Sequence, residues 1–359
     1  MDKSILMNNS NSLWQLAIQK FKKNKTGVVS FWYIILCGFI AVFCHVLAPD
    51  NSNSANQMHV EIHSKKPGFS VEILSIPSEE ESTQSWFNKF IYGKQISSTE
   101  IPIKSHKTEG NKLQVITFSD GLTKEYPVSY SKNIEQRTFY FGTDKYGRDL
   151  LSRLLIGARI SFFIGFIAVF ISLLIGIPIG AIAGYFGGKI DTIIMWFINI
   201  TWSIPTLLLV IAITLALGKG YWQVFIAVGL TMWVEVARVV RGQVITTKQQ
   251  QYVEAAKALG FSDFRIIFKH ILPNIIAPVI VISAANFAGA ILIESGLSFL
   301  GIGAQPPTPS WGAMIKNHYN YIILGKPYLA VIPGLAIMSL VMAFMLVGNA
   351  LRDALDVKS

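Results

Sequence analysis

Residues 251–274 read QYVEAAKALGFSDFRIIFKHILPN, a charged, helix-forming segment between two strongly apolar stretches, with the build of a docking element. Glu254, Ala255 and Ala256 open a helical run with small side chains on one surface, where another protein's backbone can approach closely. Gly260 permits a sharp turn, because a residue without a Cβ enters left-handed backbone conformations at little cost. Ser262 is placed to cap a second short helix through Phe264 and Phe268, and Pro273 ends that helix by refusing an interior position. The pattern predicts helix, elbow, helix.

The composition on either side says where such an elbow sits. A chain of 359 residues that is 52% hydrophobic and 14% charged, with mean hydropathy +0.45, is too apolar for an ordinary soluble domain. Crossing a hydrocarbon layer of about 30 Å takes about 20 apolar residues, and runs of that kind stand at 27–47, 161–185, 192–217, 222–240, 275–299 and 328–351. Lipid offers no partner to backbone polar groups, and the runs lack the alternation of barrel strands, so all six are expected as helices. The fold class read from the sequence is an all-α polytopic membrane protein carrying a small β-rich external insert.

Charge orients the spans. Lys20, Lys22, Lys23 and Lys25 precede the first, while Arg241, Lys248, Lys257, Arg265 and Lys269 outweigh Glu254 and Asp263 between the fourth and fifth. The positive-inside rule puts both segments in the cytoplasm, and six crossings return the C-terminus there, in keeping with Arg352 and Lys358. The expected division is a cytoplasmic segment 1–26, a first transmembrane helix 27–48, an external polar insert 49–140, and a five-helix core 141–359 with a cytoplasmic loop 241–275. The net charge of +10 comes without an aromatic-interleaved basic domain, so no nucleic acid is expected. The first span starts late and lacks a small-x-small cleavage site, which makes it a retained anchor. Its Cys37 and Cys44 lie about 10 Å apart along a helix, beyond disulfide reach, and read as packing residues. No metal cluster is expected.

Within the insert, alternation at 71–76 and 113–118, followed by Asp120-Gly121 and residues 122–130, suggests strands and a turn. Its role reads either as a spacer or as contact with a substrate-delivering partner. Residues 141–165, FGTDKYGRDLLSRLLIGARISFFIG, predict an interfacial helix on which Asp149 and Arg153 pair at i,i+4. No His, Cys or metal-ligand spacing supports a catalytic role for Asp144 or Asp149. Two carboxylates fall near spans and must face protein or water. Glu235 reads as an ion pair with Arg238 or Arg241; Glu294, with Ser295, is a candidate for a translocation path or a subunit interface. Pro178, Pro205, Pro278 and Pro333 predict kinks in the second, third, fifth and sixth spans. The phosphate-binding pattern G-x-x-x-x-G-K-[ST] does not occur, since Lys189 after Gly187-Gly188 is followed by Ile190, so ATP hydrolysis is not expected of this chain. Other readings are a stand-alone channel or proton-coupled carrier titrating at Glu294 or Glu235, and a membrane-anchored structural protein bearing an external β-domain.

Glu254-Ala255-Ala256, Gly260 and Leu272-Pro273 match, in residue and spacing, the signature E-A-A, three residues, G, nine residues, I-x-L-P of ABC importer permeases. His270 in HILPN resembles the peptide and nickel branch. FGTDKYGRDLLSRLLIGAR at 141–159, ESGLSFLGIGAQPPTPSWGAMI at 294–315 and LRDALD at 351–356 closely resemble the C-type permease of dipeptide and oligopeptide importers. The resemblance implies the six-helix type I importer fold, a homologous second permease, two cytoplasmic ATPases that use ATP and Mg, an external solute-binding protein, and a bacterial inner membrane whose lipid surrounds the chain. It implies no cofactor on this chain. The elbow becomes a coupling helix in which Ala255 and Ala256 permit close packing on an ATPase, Glu254 makes a polar contact or cap, and Gly260 sets the angle. Peptides are the implied cargo, with nickel chelates or another small peptide-like solute as the alternative.

Overall fold

The computed structural model describes residues 13–77, 84–96, 98–119, 121–218 and 220–355. Asp120, Asp356 and Lys358, which enter the turn, motif and charge readings above, lie outside them. Helix α1 (Leu13–Lys23) leads into α2 (Lys25–Leu47), whose start is set by Asn24 accepting a hydrogen bond from the Gly27 N–H. A short α3 (Trp86–Tyr92) belongs to the insert. The remaining helices are α4 (Leu150–Phe186), α5 (Gly188–Ser203), α6 (Thr206–Leu217), α7 (Tyr221–Lys248), α8 (Gln251–Ala258), the single turn α9 (Asp263–Arg265), α10 (Ile276–Leu300), α11 (Trp311–His318) and α12 (Tyr328–Leu355).

Five of these helices are long and apolar enough to cross a membrane, and α5 with α6 makes a sixth span bent by 89°. The continuous third span expected at 192–217 is therefore broken. Ile204, ahead of Pro205, takes an extended conformation (φ −88°, ψ 127°), as the proline ring requires of the residue before it. The other prolines do not break their helices. Pro178 and Pro333 are accommodated inside α4 and α12, and Pro278 lies in the first turn of α10, where its missing N–H has no helical partner to lose.

The separate interfacial helix expected before the second span is also absent. Residues from Leu150 onward form one helix of 37 residues, about 55 Å long at about 1.5 Å per residue, so its first turns rise beyond the hydrocarbon layer. Along α4, Gly176, Gly180 and Gly184 face α7 so closely that a Cβ at each would stand 2.7, 2.4 and 2.7 Å from the carbonyl oxygens of Trp233, Ala237 and Arg241. This small-residue seam lets two backbones meet where lipid supplies no hydrophobic drive for association. Around it the bundle core packs Ile164, Val228, Phe287, Ile291 and Leu340, with the Phe287 and Phe344 rings stacked 3.9 Å apart. Cys37 and Cys44 are buried and unpaired to each other.

The insert is a five-stranded antiparallel sheet in the order β4-β3-β2-β1-β5, built from β1 (Phe69–Pro77), β2 (Ser98–Glu109), β3 (Lys112–Thr117), β4 (Thr123–Pro127) and β5 (Ile134–Phe139). Alternation pointed to β1, β3 and β4. It missed β2, whose outer half is exposed on every residue from Lys104 to Glu109, and β5, where polar residues dominate.

A buried ion cluster fastens the sheet. The Glu100 carboxylate, 8% exposed, accepts two hydrogen bonds from the Arg137 guanidinium (2.6 and 3.0 Å) and one contact from His59 Nε2 at 3.0 Å. Burial by itself raises the Glu100 carboxyl, but the His59 and Arg137 hydrogen bonds outweigh it and hold the group at about 2. Since this folded value lies below the ordinary carboxylate value of 4.5, the stabilisation is complete above that value and is lost as pH falls from there towards 2. Glu100→Gln is expected to cost about 2 kcal/mol, the scale of charge-assisted hydrogen bonds, and to abolish the acid transition. Protease resistance of the insert in the full-length protein, measured between pH 7 and 2, checks both.

Candidate functional site

The elbow forms as one hydrogen-bonded unit. At its corner Gly260 sits at φ +76°, which lets the Phe261 N–H reach back to the Ala256 carbonyl (3.2 Å) while the Gly260 N–H donates to the Lys257 carbonyl (2.9 Å). A Cβ on Gly260 would meet nothing within 4 Å, so its conformation, not space, demands glycine. Beyond the corner, α9 widens into a π-helical segment Ile266–Ile271 and closes with a short turn Leu272–Asn274. Ser262 occupies the cap position of α9, but its side chain makes no capping bond.

The structure divides the predicted residues between two faces. Val253 and Ala256 are buried and pack with Ile266, Ile271 and Tyr185, so Ala256 supports the elbow from inside its own chain instead of lying on its exposed face. Glu254, Ala255, Ala258 and Gly260 are exposed; Leu272 is half-buried and Pro273 exposed. Outside stand Leu259 (73% exposed), Phe264 (71%) and Phe268 (51%), with the two phenylalanine rings 4.3 Å apart. In the sequence these residues look like core positions, because an exposed apolar side chain is told from a buried one only by its packing direction. Beneath it, the Tyr185 hydroxyl at the end of α4 donates to Asp263 (2.6 Å), and Phe261 is flanked by the Arg265 guanidinium and the His270 ring. The elbow is thus fixed to the α4–α7 pair.

Glu235 does not form the expected pair with Arg238 or Arg241. Arg241 binds both oxygens of Asp191 on α5, and Arg238 donates to Asn199 (2.7 Å) while lying 3.5 Å over the Trp202 ring. These partners all lie on α5, which runs alongside α7. Glu235 is left exposed on a cavity of about 370 Å³ with Thr201, Thr231 and Asn286. Asn286 is 2% exposed, and its Nδ2 has no hydrogen-bond partner. A second hollow of about 680 Å³, nearer the elbow end, is lined by Gln243, Asn349 and Arg352, and Ala285 belongs to both. Glu235, Val239 and Gln243 follow at i, i+4 and i+8, so one face of α7 lines both hollows.

Glu294 lies elsewhere. It is 1% exposed, accepts a hydrogen bond from Ser298 (2.6 Å), and sits with Ser295 (9% exposed) where α10 meets α11. There Gly312 touches the Ser295 backbone, and the Trp311 indole N–H donates to the Leu154 carbonyl (2.9 Å). The two motifs at 141–159 and 294–315 thereby meet at the insert end of the bundle. The expected Asp149–Arg153 pair is replaced. Because α4 begins at Leu150, Asp149 is its cap and accepts from the Ser152 N–H (2.9 Å), while Arg153 donates to the Ser54 and Ala55 carbonyls. The i,i+4 pair is Asp144–Arg148, fully buried at 2.6 Å. These bonds tie the base of the insert to the bundle. Among the described residues no group of His, Cys, Asp and Glu has the arrangement of a metal site.

Comparison with known proteins agrees with this architecture. Residues 176–358 match the family described as binding-protein-dependent transport system inner membrane component, and residues 12–67 match the N-terminal transmembrane domain of oligopeptide transport permease C. The dipeptide transport system permease protein DppC of Alkalihalophilus pseudofirmus is 37% identical over 82% of this chain and 97% of its own length. The oligopeptide transport system permease protein OppC of Haemophilus influenzae is 42% identical over 97% of this chain and 89% of its own. A glutathione transport system permease protein GsiD of Escherichia coli is 43% identical over 61% of this chain and 72% of its own. With its bent third span, its glycine seam and its exposed elbow, the chain belongs to the inner-membrane permeases of binding-protein-dependent ABC importers, in the dipeptide and oligopeptide group.

Proposed function

We propose that this chain forms one half of a peptide translocation path and takes its power stroke from a partner ATPase seated on the elbow. The observation that carries the reading is the patch of Leu259, Phe264 and Phe268 beside exposed Glu254 and Ala255. Three large apolar side chains held outward on a rigid corner form the kind of central anchor that protein interfaces bury. The elbow faces the cytoplasm in this reading, and its bonds through Tyr185 and Asp263 carry closure of two ATPases into the α4–α7 pair as rigid-body motion. Nucleotide and Mg belong to those ATPases. Cargo arrives from an external binding protein, and a second, homologous permease closes the groove between Glu235 and Arg352. A carboxylate exposed at membrane depth needs water or protein around it, and a groove with an acidic and a basic end suits a zwitterionic peptide.

In membranes holding the complete importer, a Leu259→Asp, Phe264→Asp double variant is expected to lower ATP-driven trialanine uptake at least tenfold while remaining inserted. Uptake at the wild-type rate in that variant contradicts the docking assignment; a wild-type importer that binds and moves no peptide contradicts the cargo assignment.

A further inference from the structure

We propose that the cavity enclosed by α2, α4, α7 and the insert's α3 binds one anionic phospholipid, with its phosphate at Arg159 and an acyl chain lying along α4. The cavity measures about 300 Å³ and has a basic end and an apolar end. At the basic end one Arg159 guanidinium nitrogen donates to the Ile91 carbonyl of α3. Among the described residues no carboxylate pairs with this guanidinium. Beside it stands His45, 8% exposed, whose Nδ1 has no hydrogen-bond partner. A guanidinium near the end of a span with no carboxylate in ion-pair contact is suited to a phosphate, which it can grip through two nitrogens.

The apolar end identifies the phosphate as part of an amphiphile. Phe163 and Ile167 line the cavity, and α4 continues from them into Phe166, Phe170 and Leu174, which are exposed by 60, 60 and 64%. From residue 163 to 174 this stripe runs about 16 Å at about 1.5 Å per residue, a track for an acyl chain that a free anion would not use. Aromatic residues mark the depth. Trp86, Phe87 and Tyr92 of α3 are exposed, and Trp222 stands at the start of α7, giving the interfacial belt in which indole and phenol rings settle at headgroup level. The insert therefore has a physical task in this site: α3 supplies the roof that fixes Arg159.

The test is lipid retention and stabilisation of the purified importer complex. Native mass spectrometry is expected to find a dioleoylphosphatidylglycerol molecule retained on the complex that Arg159→Gln loses and Arg159→Lys keeps only in part. Titration with that lipid should raise the thermal midpoint at concentrations at least tenfold below those needed with dioleoylphosphatidylcholine. Inorganic phosphate should give no comparable shift. Equal response to the two lipids, a full response to phosphate alone, or retention of the lipid by Arg159→Gln each overturns the proposal. Absence of retained lipid together with cross-linking from Phe166→Cys to the second permease does so too, and shows the face to be covered by protein. If Arg159→Gln does not fold, the comparison of the three ligands on the wild-type complex decides.

Discussion

Gly260→Pro is expected to lower ATP-driven uptake at least a hundredfold while the chain still inserts and assembles. Proline holds φ near −65°, whereas this corner requires +76°, and the substitution also deletes the N–H that bonds the Lys257 carbonyl. The elbow must then leave its left-handed turn, which redirects α8 relative to the segment carrying Phe264 and Phe268. Gly260→Ala separates conformation from bulk. Its Cβ enters open space, so it carries only the left-handed penalty of about 1–2 kcal/mol and should retain part of the activity. Uptake and transport-coupled ATPase activity, measured on equal amounts of inserted complex, check the pair. A proline variant that transports normally removes the elbow from the coupling route.

Gly180→Leu is expected to destabilise the bundle along the α4–α7 seam. The new Cβ would stand 2.4 Å from the Ala237 carbonyl oxygen and 2.9 Å from the Val240 Cβ. Most of what it meets is backbone, so rotamer changes give no relief, and α4 and α7 must separate along the seam that holds Gly176 and Gly184 as well. Overpacking in a tight core costs about 1–3 kcal/mol or more, here at the most extensive helix pairing in the molecule. The thermal midpoint of the detergent-solubilised chain should fall by about 10 °C or folded material should be lost. Gly334→Leu is the control: it lies in α12 with nothing within 4 Å of its Cβ and should leave the midpoint unchanged.

Much of this is legible in the sequence. Long apolar runs with few charges specify spans because lipid tolerates no unpaired backbone, so α2, α4, α7, α10 and α12 emerge near their predicted places. The third span failed at one residue: Pro205 was read as a kink, yet an extended Ile204 ahead of it turns the chain by 89°. Asp149 failed differently. Its spacing to Arg153 assumed a shared helix, whereas the chain makes Asp149 the cap and gives Arg153 to carbonyls of a segment almost a hundred residues earlier. Ala256 departs from its expected place for a related reason, since a short helix has two faces and only its packing partner decides which one points inward.

What the sequence determined by itself is the set of local necessities: six apolar runs, the left-handed corner at Gly260, the missing phosphate loop, and the spacing that places the chain among importer permeases. What only the tertiary structure decided is partnership. It gave Arg241 to Asp191, left Glu235 facing a groove, turned Ala256 inward, and brought the insert's α3 over Arg159. Each of these depends on segments distant in sequence meeting at ångström distances. Hydrophobic periodicity reports how one segment meets its solvent, and it carries no record of which other segment replaces that solvent.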